Sequence, residues 1–352
     1  MERLSVAHTW LAPVEGDSGA LDQIQTMLLL PAFGLSFFFM YWSLPLACLL
    51  YRVRFLTFSD RRDDTYRWSQ TIAQFFGVRL KKVGCTELYR SDDPVIYLHN
   101  HRCWADFFLD LYVTEGRAGF LSRWAVFPVF PVFLSSALLL KSVKFFNRSR
   151  MSDKEGFNNW LDNDIALSAV KGLIVYPEGH RSLKKESLPL KRGMLKYAYT
   201  RNFPCQVVMT KGKELVMSEK QMSVGFNPQL PLGFSELINT KDFDDFDSFF
   251  ARIEQVWEQT WRDVHEADVS ALTDIVPGAG RDCSTEYPMP VLVGQAAVCI
   301  TTVALLLGLS VAGLQLVFSS SLAVTLSTIV AGMTYMSVQI ADVQAHSVLK
   351  NV

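Results

Sequence analysis

Short apolar runs alternate with helical patterns between residues 58 and 287. The apolar runs have the length of buried strands and lie at 95–98, 119–122, 143–147, 173–176 and 206–210. Apolar residues recur at helical spacing at 65–76, 106–114, 156–170 and 245–265. Because strands that alternate with helices build helix-covered sheets, the pattern predicts an α/β fold in which a mixed sheet is flanked by helices.

A long apolar run precedes this region. Residues 27–51 contain no charged side chain, and about 20 apolar residues suffice to cross the hydrocarbon core of a membrane. Pro31 and Pro45 interrupt the run, so a bent or re-entrant helix is the alternative to a straight span. Acidic residues precede the run and arginines follow it, which predicts that the chain after residue 51 faces the cytosol.

Two further apolar runs follow. Residues 288–340 are uncharged, which predicts two spans near 289–311 and 322–340 with a turn at 319–321. One long span with an interfacial helix is the alternative. The run at 124–140 is marginal for a span and contains Pro128 and Pro131. We expect it to lie on or dip into one leaflet, with a buried core segment as the alternative.

These runs divide the chain into five predicted parts. They are an N-terminal segment at 1–26, a transmembrane anchor at 27–57, an α/β domain at 58–270, a linker at 271–287 and a transmembrane hairpin at 288–352. Hydrophobic residues make up 49% of the chain and mean hydropathy is +0.16, which favours a lipid bilayer as a partner. The net charge of −1 and the lack of a basic, aromatic-rich stripe speak against nucleic-acid binding. The six cysteines show neither disulfide nor metal spacing and are expected to be reduced.

Polar residues follow two of the predicted strands. Asn100, His101 and Asp106 come after the strand at 95–98, and the sequence Pro-Glu-Gly-His-Arg at 177–181 comes after the strand at 173–176. On one straight helix five positions rotate by about 500°, so His101 and Asp106 would not share a face. We therefore expect His101 in the loop and Asp106 in the first turn of the next helix. There the carboxylate would orient an imidazole that removes a proton near neutral pH.

The chain has no Gly-x-Ser-x-Gly elbow, so no serine nucleophile is evident. The hydroxyl that His101 deprotonates would then belong to the substrate and attack an activated acyl group directly. Basic residues near further strand ends indicate an acceptor that carries a phosphate: Arg148, Arg181, Lys191 and Arg192. Ordinary surface charge is the alternative for each of them.

Four sequence blocks in this order resemble the glycerolipid acyltransferase superfamily, and most of all the 1-acylglycerol-3-phosphate O-acyltransferases. The blocks are Asn-His-x4-Asp at 100–106, an arginine-bearing turn at 145–150, Pro-Glu-Gly-x-Arg at 177–181 and Lys-Arg-Gly at 191–193, within a resemblance that covers 93–211. The resemblance implies that His101 is the general base and Asp106 its orienting carboxylate. It implies that Arg148 contacts the acceptor phosphate and that Glu178, Gly179, Arg181, Lys191 and Arg192 form the acceptor site. Asn100, Pro177 and Pro204 match supporting positions.

The resemblance also implies the reaction. Acyl-CoA would be the co-substrate, without a metal or another cofactor, and 1-acylglycerol 3-phosphate would be acylated to phosphatidic acid at the endoplasmic reticulum. Glycerol 3-phosphate or another lysophospholipid is the alternative acceptor. This chain departs from the family pattern at Asn147, His180, Cys205 and Gln206, which bears on the acceptor rather than on the reaction class.

The sequence offers less support for two other classes of function. A metal-dependent hydrolase would use His99, His101, Cys103 and Asp106 as ligands, but the further clustered Asp and His residues of such enzymes are missing. A non-enzymatic lipid-binding scaffold would leave the four blocks unexplained.

Overall fold

The computed structural model describes residues 33–34, 36–37, 39–40, 42–48, 53–54, 57–58, 64–127, 130–146, 153–168, 170–278 and 289–332. Its strands are β1 Val53–Arg54, β2 Thr57–Phe58, β3 Arg79–Val83, β4 Ile96–His99, β5 Ala118–Arg123, β6 Val143–Phe146, β7 Gly172–Val175, β8 Cys205–Thr210, β9 Met217–Ser218, β10 Ser223–Val224, β11 Gln229–Ile238 and β12 Thr273–Ile275. Its helices are α1 Asp64–Phe75, α2 Asp106–Val113, α3 Pro131–Leu139, α4 Lys154–Leu167, α5 Arg192–Thr200, α6 Phe246–Glu266, α7 Met289–Gln315 and α8 Ser320–Gly332.

Eight strands form one mixed sheet in the order β12-β3-β11-β8-β4-β7-β5-β6. The five strands from β8 to β6 in that order run parallel to one another, so their carboxyl ends share one edge of the sheet. Strand β11 pairs antiparallel with β8 and parallel with β3, and β12 pairs antiparallel with β3. The predicted mixed sheet is therefore confirmed, and β4 lies near its centre.

Helices cover both faces of the sheet. Because side chains alternate along a strand, Tyr97 of β4 packs in a core with α1, α2 and α3, whereas Ile96 and Leu98 pack in a second core with α4, α5 and α6. The longest of the domain helices, α6, buries an apolar stripe at helical spacing that includes Phe249, Ile253 and Val264. Asp245 caps α6 because its side chain accepts the Ser248 N–H at 2.7 Å.

All five predicted strands and all four predicted helices are present, with ends within a few residues of the expected ones. The pattern did not reveal β11, because Pro231 interrupts its apolar sequence. Pro231 is accommodated next to the short strand β3, and its carbonyl accepts the Lys211 N–H at 3.0 Å. The linker expected at 271–287 needs a correction, since β12 lies within it and belongs to the sheet.

The apolar segments contact the domain. Phe37, in the helical N-terminal segment, lies 5.1 Å from Trp104 and 5.6 Å from Phe130, measured between ring centroids. The run at 124–140 contains a 3-10 turn at Trp124–Val126 and the nine-residue helix α3, which is too short to cross a bilayer and packs against α7. Phe133, Leu134 and Ala137 of α3 are buried in the core that contains Tyr97, as the alternative of a buried segment expects, and the dip into one leaflet stays a prediction.

Among the described residues one helix is long and apolar enough to cross a membrane, at Ala296–Gln315 within α7. Helix α8 is apolar but shorter, and the chain leaves helical geometry between α7 and α8 close to the expected turn. Residues 333–340 of the second predicted span lie outside the described residues.

Candidate active site

His101 and Asp106 meet where β4 gives way to α2. Strand β4 ends at His99, two residues before His101, and α2 begins at Asp106. The Asp106 Oδ2 atom lies 2.6 Å from His101 Nδ1 and accepts the backbone N–H groups of Arg102 at 2.8 Å and Cys103 at 3.2 Å. A proton on Nδ1 satisfies the carboxylate, which leaves the Nε2 lone pair of a neutral imidazole free to accept a proton. The placement expected from the sequence is the one observed.

Burial distinguishes the two side chains. The His101 side chain is 22% exposed, whereas that of Asp106 is 1% exposed. Burial acts to raise the pKa of Asp106, but Lys213 and His101 outweigh burial and lower that pKa to about 2. Asp106 is therefore ionised at neutral pH, which suits a carboxylate that orients an imidazole and stabilises its protonated form.

A buried ion cluster that sequence reasoning missed lies beneath this pair. The Nζ atom of Lys213 lies 3.0 Å from Asp106 Oδ1, 3.0 Å from Asp110 Oδ1 and 2.7 Å from the carbonyl oxygen of Asn100. Burial alone would lower the pKa of Lys213, but the two carboxylates raise it. The available signal was the four-residue spacing of Asp106 and Asp110, which puts both on one helix face, and a lysine shortly after β8.

Tyr176 lies between the imidazole and this cluster. Its ring stacks on the His101 ring with centroids 4.0 Å apart and planes 15° apart. Its hydroxyl donates to Asp110 Oδ2 at 2.8 Å. Burial and the neighbouring Asp110 carboxylate raise the pKa of Tyr176 well above its ordinary value, so its hydroxyl stays a donor. Tyr176 thus fixes the plane of the His101 ring from the next strand.

Glu178 joins the loop after β7 to the loop after β4. Its buried carboxylate accepts the His101 backbone N–H at 3.0 Å through Oε2 and the Leu188 N–H at 3.1 Å through Oε1. The Ser182 N–H donates to the His101 carbonyl at 3.0 Å, which closes the connection from the other side. Gly179 has φ +77°, a left-handed conformation that favours glycine. Glu178 therefore stabilises the backbone position of His101.

Arg181 lies at the same edge of the sheet. Its Nη1 group donates to the Glu219 carboxylate, and its guanidinium lies 6.0 Å from the centre of the Trp104 ring. Glu219 Oε2 also accepts the Trp104 backbone N–H at 3.0 Å, so Arg181 is linked to the loop that carries His101. The Arg181 side chain is 24% exposed, whereas that of Glu219 is nearly buried.

Three of the other predicted site residues support the strands and loops around the site. Asn100 and Pro204 support the strands, because the Asn100 side chain exchanges hydrogen bonds with the Thr210 backbone and the Pro204 carbonyl accepts the Ile96 N–H. Pro177 supports the next loop, since its carbonyl accepts the Lys191 N–H at 2.7 Å. Lys191 is exposed.

Arg192 has partners other than those expected for a phosphate ligand. The Arg192 guanidinium donates to Asp247 and lies over the ring of Phe250 at 4.7 Å, so it is held against α6. His180, one of the positions where the chain departs from the family pattern, is exposed. Arg148 and Asn147 lie outside the described residues.

The histidine-rich stretch shows no metal-site geometry. Within the described ranges no group of three or more His, Cys, Asp or Glu side chains is arranged to hold a metal ion. His99 is fully buried, with its Nδ1 atom 3.0 Å from Asp110 Oδ1. Burial raises the pKa of the Cys103 thiol well above its ordinary value, so Cys103 is a buried neutral thiol rather than a nucleophile.

The chain is similar to known proteins in sequence and in fold. Residues 80–210 match the Acyltransferase family model. The fold is similar to the crystal structure of the 1-acyl-sn-glycerophosphate (LPA) acyltransferase PlsC from Thermotoga maritima, with a TM-score of 0.50 and 16% sequence identity over 70% of this chain and 97% of that one. No curated protein matches the sequence significantly. Both matches support the resemblance to the glycerolipid acyltransferase superfamily, since residues 80–210 are similar to the Acyltransferase family and the fold is similar to that of a glycerolipid acyltransferase.

Proposed function

We propose that this protein, whose acyltransferase domain resembles the glycerolipid acyltransferases, moves a fatty acyl group from acyl-CoA to the free hydroxyl of a lysophospholipid. The foremost acceptor candidate is 1-acylglycerol 3-phosphate, with phosphatidic acid as the product. The observation that carries the proposal is the 2.6 Å contact between His101 Nδ1 and the buried Asp106 carboxylate, which turns Nε2 of a partly exposed imidazole into the proton acceptor.

The reaction needs one proton relay through His101. Nε2 takes the proton of the acceptor hydroxyl as its oxygen forms a bond to the thioester carbonyl carbon. Asp106 stabilises the imidazolium that results. The tetrahedral intermediate collapses with cleavage of the carbon–sulfur bond, and the leaving thiolate of coenzyme A receives the proton from His101. The products are an ester and a free thiol, and no acyl-enzyme forms.

Arg181 is the foremost candidate for the acceptor phosphate. Its guanidinium is partly exposed and is connected through Glu219 to the backbone of Trp104, three residues from His101. A guanidinium offers a planar fork of donors that matches a phosphate group. A phosphate bound here would bring an adjacent hydroxyl towards His101, which is the alignment that direct transfer requires.

A membrane setting suits these substrates. The aromatic contacts of Phe37 with Trp104 and Phe130 connect the uncharged N-terminal run to the catalytic loop, and α7 packs on α3. We propose that both apolar regions hold the domain on the cytosolic face of the endoplasmic reticulum membrane, where a lysophospholipid and an acyl chain partition.

The test is an acyl-transfer assay on membranes that contain the full chain. Labelled acyl-CoA and acyl carrier protein thioesters are offered with 1-acylglycerol 3-phosphate, glycerol 3-phosphate and other lysophospholipids. We expect transfer from acyl-CoA to 1-acylglycerol 3-phosphate, and a loss of roughly 100- to 10,000-fold in His101→Ala. Glu254→Ala, which truncates an exposed side chain on α6, is the control and should keep most of the rate. Wild-type rates in a folded His101→Ala protein would overturn the assignment of the base.

A further inference from the structure

We propose that Lys213 is a positioning residue of this active site, whose ammonium group fixes the Asp106 carboxylate and thereby the orientation and charge environment of His101. The inference deepens the proposed acyl transfer and rests on it. Lys213 lies 112 positions after His101 in the chain and falls outside every sequence block that indicated the reaction.

The Lys213 ammonium group connects both elements that hold the reacting pair. Its side chain is 0% exposed. It contacts Asp106 Oδ1 at 3.0 Å and Asp110 at 3.0 and 3.1 Å, both on α2, and donates to the Asn100 carbonyl at 2.7 Å, next to His101 in the loop. One cation therefore joins the start of α2 to the loop after β4.

The two oxygens of Asp106 have different partners. Oδ1 faces Lys213, and Oδ2 faces His101 and the Arg102 and Cys103 N–H groups. Because Lys213 contacts Oδ1, the carboxylate cannot rotate out of this plane without loss of a buried ion pair. Lys213 therefore presents Oδ2 to the imidazole in one orientation.

Charge is the second reason for a functional role. Asp106 and Asp110 carry two negative charges against the single positive charge of Lys213, so the cluster bears a formal charge of −1 beneath His101. Two uncompensated negative charges would favour a protonated imidazole before transfer, and Lys213 cancels one of them, which helps to keep His101 in the neutral form that accepts a proton. The other titratable groups that face the cluster are His99 at the end of β4, Tyr176 after β7, Cys103 in the loop and the adjacent Arg102–Glu214 ion pair.

Lys213 does not reach the substrate. Its ammonium has no exposed surface, so it cannot bind an acceptor phosphate or donate to the leaving group. A purely structural role in neutralising Asp110 is the competing explanation, because a lone buried carboxylate pair would destabilise the fold. The two roles make different predictions for a protein in which Asp110 is neutral. In a positioning role the contact of Lys213 with Asp106 still affects turnover, whereas in a purely structural role it does not.

Two variants separate these roles. Asp110→Asn removes one carboxylate and keeps the contact between Lys213 and Asp106. The double variant Lys213→Met/Asp110→Asn has the same change at Asp110 and replaces the lysine by an apolar side chain of similar length. Its cluster has the formal charge of the wild type, −1. The pair differs only in the Lys213 ammonium. Thermal unfolding of both in detergent shows whether they are folded before kinetics are compared.

We expect kcat of the double variant to be about tenfold or more below that of Asp110→Asn, with KM for the acceptor changed less than twofold. We also expect the acidic limb of its kcat/KM profile to lie at a pH higher by about half a unit or more, because a nearby positive charge has been removed. Equal kcat values and superimposable pH profiles in the two folded variants would overturn the positioning role.

A second readout does not need activity. Diethyl pyrocarbonate modifies neutral imidazole, and fragment mass spectrometry distinguishes His101 from His99. The midpoint of the pH dependence of His101 modification should be higher in the double variant than in Asp110→Asn. If wild-type protein transfers no acyl group and the midpoint still differs, the proposed reaction is wrong and the coupling of Lys213 to His101 stands. An unchanged midpoint overturns the coupling itself.

Discussion

The Glu178 carboxylate accepts the backbone N–H of His101 at 3.0 Å, although 77 residues separate the two in the chain. Glu178 is buried, and its second oxygen accepts the Leu188 N–H. Glu178, in the Pro-Glu-Gly-His-Arg loop, therefore fixes the backbone of the loop that carries His101. The family resemblance had assigned Glu178 to the acceptor site, a role that stays a prediction.

Replacement of Glu178 by Gln should impair both stability and turnover. Glutamine keeps one acceptor oxygen but turns an NH2 group towards the other N–H, so one buried donor loses its partner. We expect a loss of roughly 1.5–3 kcal/mol in the free energy of unfolding and a lower kcat, because the loop that carries His101 is held less firmly with one of the two hydrogen bonds broken. Glu186→Gln, at an exposed position of the same loop, is the control and should change neither quantity.

Asp106→Asn should weaken the dependence of stability on pH in acid. The pKa of Asp106 falls from an ordinary 3.8 to about 2 on folding. Since the folded-state pKa is the lower one, the ionised carboxylate stabilises the fold above about pH 4, and this stabilisation is lost as the pH falls towards 2. The effect is on the order of 2 kcal/mol.

Thermal unfolding of wild type and Asp106→Asn in detergent at several pH values between 2 and 7 measures this difference. The variant should be less stable at neutral pH and should lose less further stability in acid. Its kcat should fall roughly 100- to 10,000-fold, because the imidazole loses the partner of Nδ1. Asp92→Asn, an exposed carboxylate, is the reference, and identical acid unfolding of all three proteins would contradict the prediction.

Arg181→Ala should weaken binding of the acceptor and leave binding of acyl-CoA nearly unchanged. We expect the KM for a phosphate-bearing acceptor to rise about tenfold or more, since a charge-assisted hydrogen bond contributes roughly 1.5–3 kcal/mol, while KM for acyl-CoA changes little. Arg181→Lys keeps the charge but loses the planar fork of donors. Its KM for the acceptor should therefore lie between that of the wild type and that of Arg181→Ala. Lys185→Ala, at an exposed position nearby, is the control. An unchanged acceptor KM in Arg181→Ala would remove Arg181 from the phosphate site.

Local patterns were sufficient for the elements that carry the reacting pair. The apolar run before Asn100 and the amphipathic stretch from Asp106 predicted a strand, a loop and a helix, and α2 begins at Asp106. The helical spacing predicted α6 almost to the residue. Strand β11 was missed because it contains Pro231, and its place in the sheet depends on partners from β3 and β8.

Basic residues were the weakest part of the sequence reasoning. Arg192 counted as a phosphate ligand because it stands beside Lys191, but its guanidinium is paired with Asp247 on α6. Lys213 received no role, although it contacts Asp106 and Asp110. The position of a charge in the chain does not reveal which distant side chain neutralises it.

The sequence by itself determined the order of the five parallel strands and the helices of the domain, the placement of His101 and Asp106 at a strand–helix junction, and the apolar ends of the chain, because these follow from local hydrophobic periodicity and short motifs. Only the tertiary structure decided that Glu178 holds the His101 backbone and that Lys213 holds the Asp106 carboxylate. Those contacts join residues 77 and 107 positions apart, and they form because β7 and β8 flank β4 in parallel and bring their carboxyl ends to one edge of the sheet.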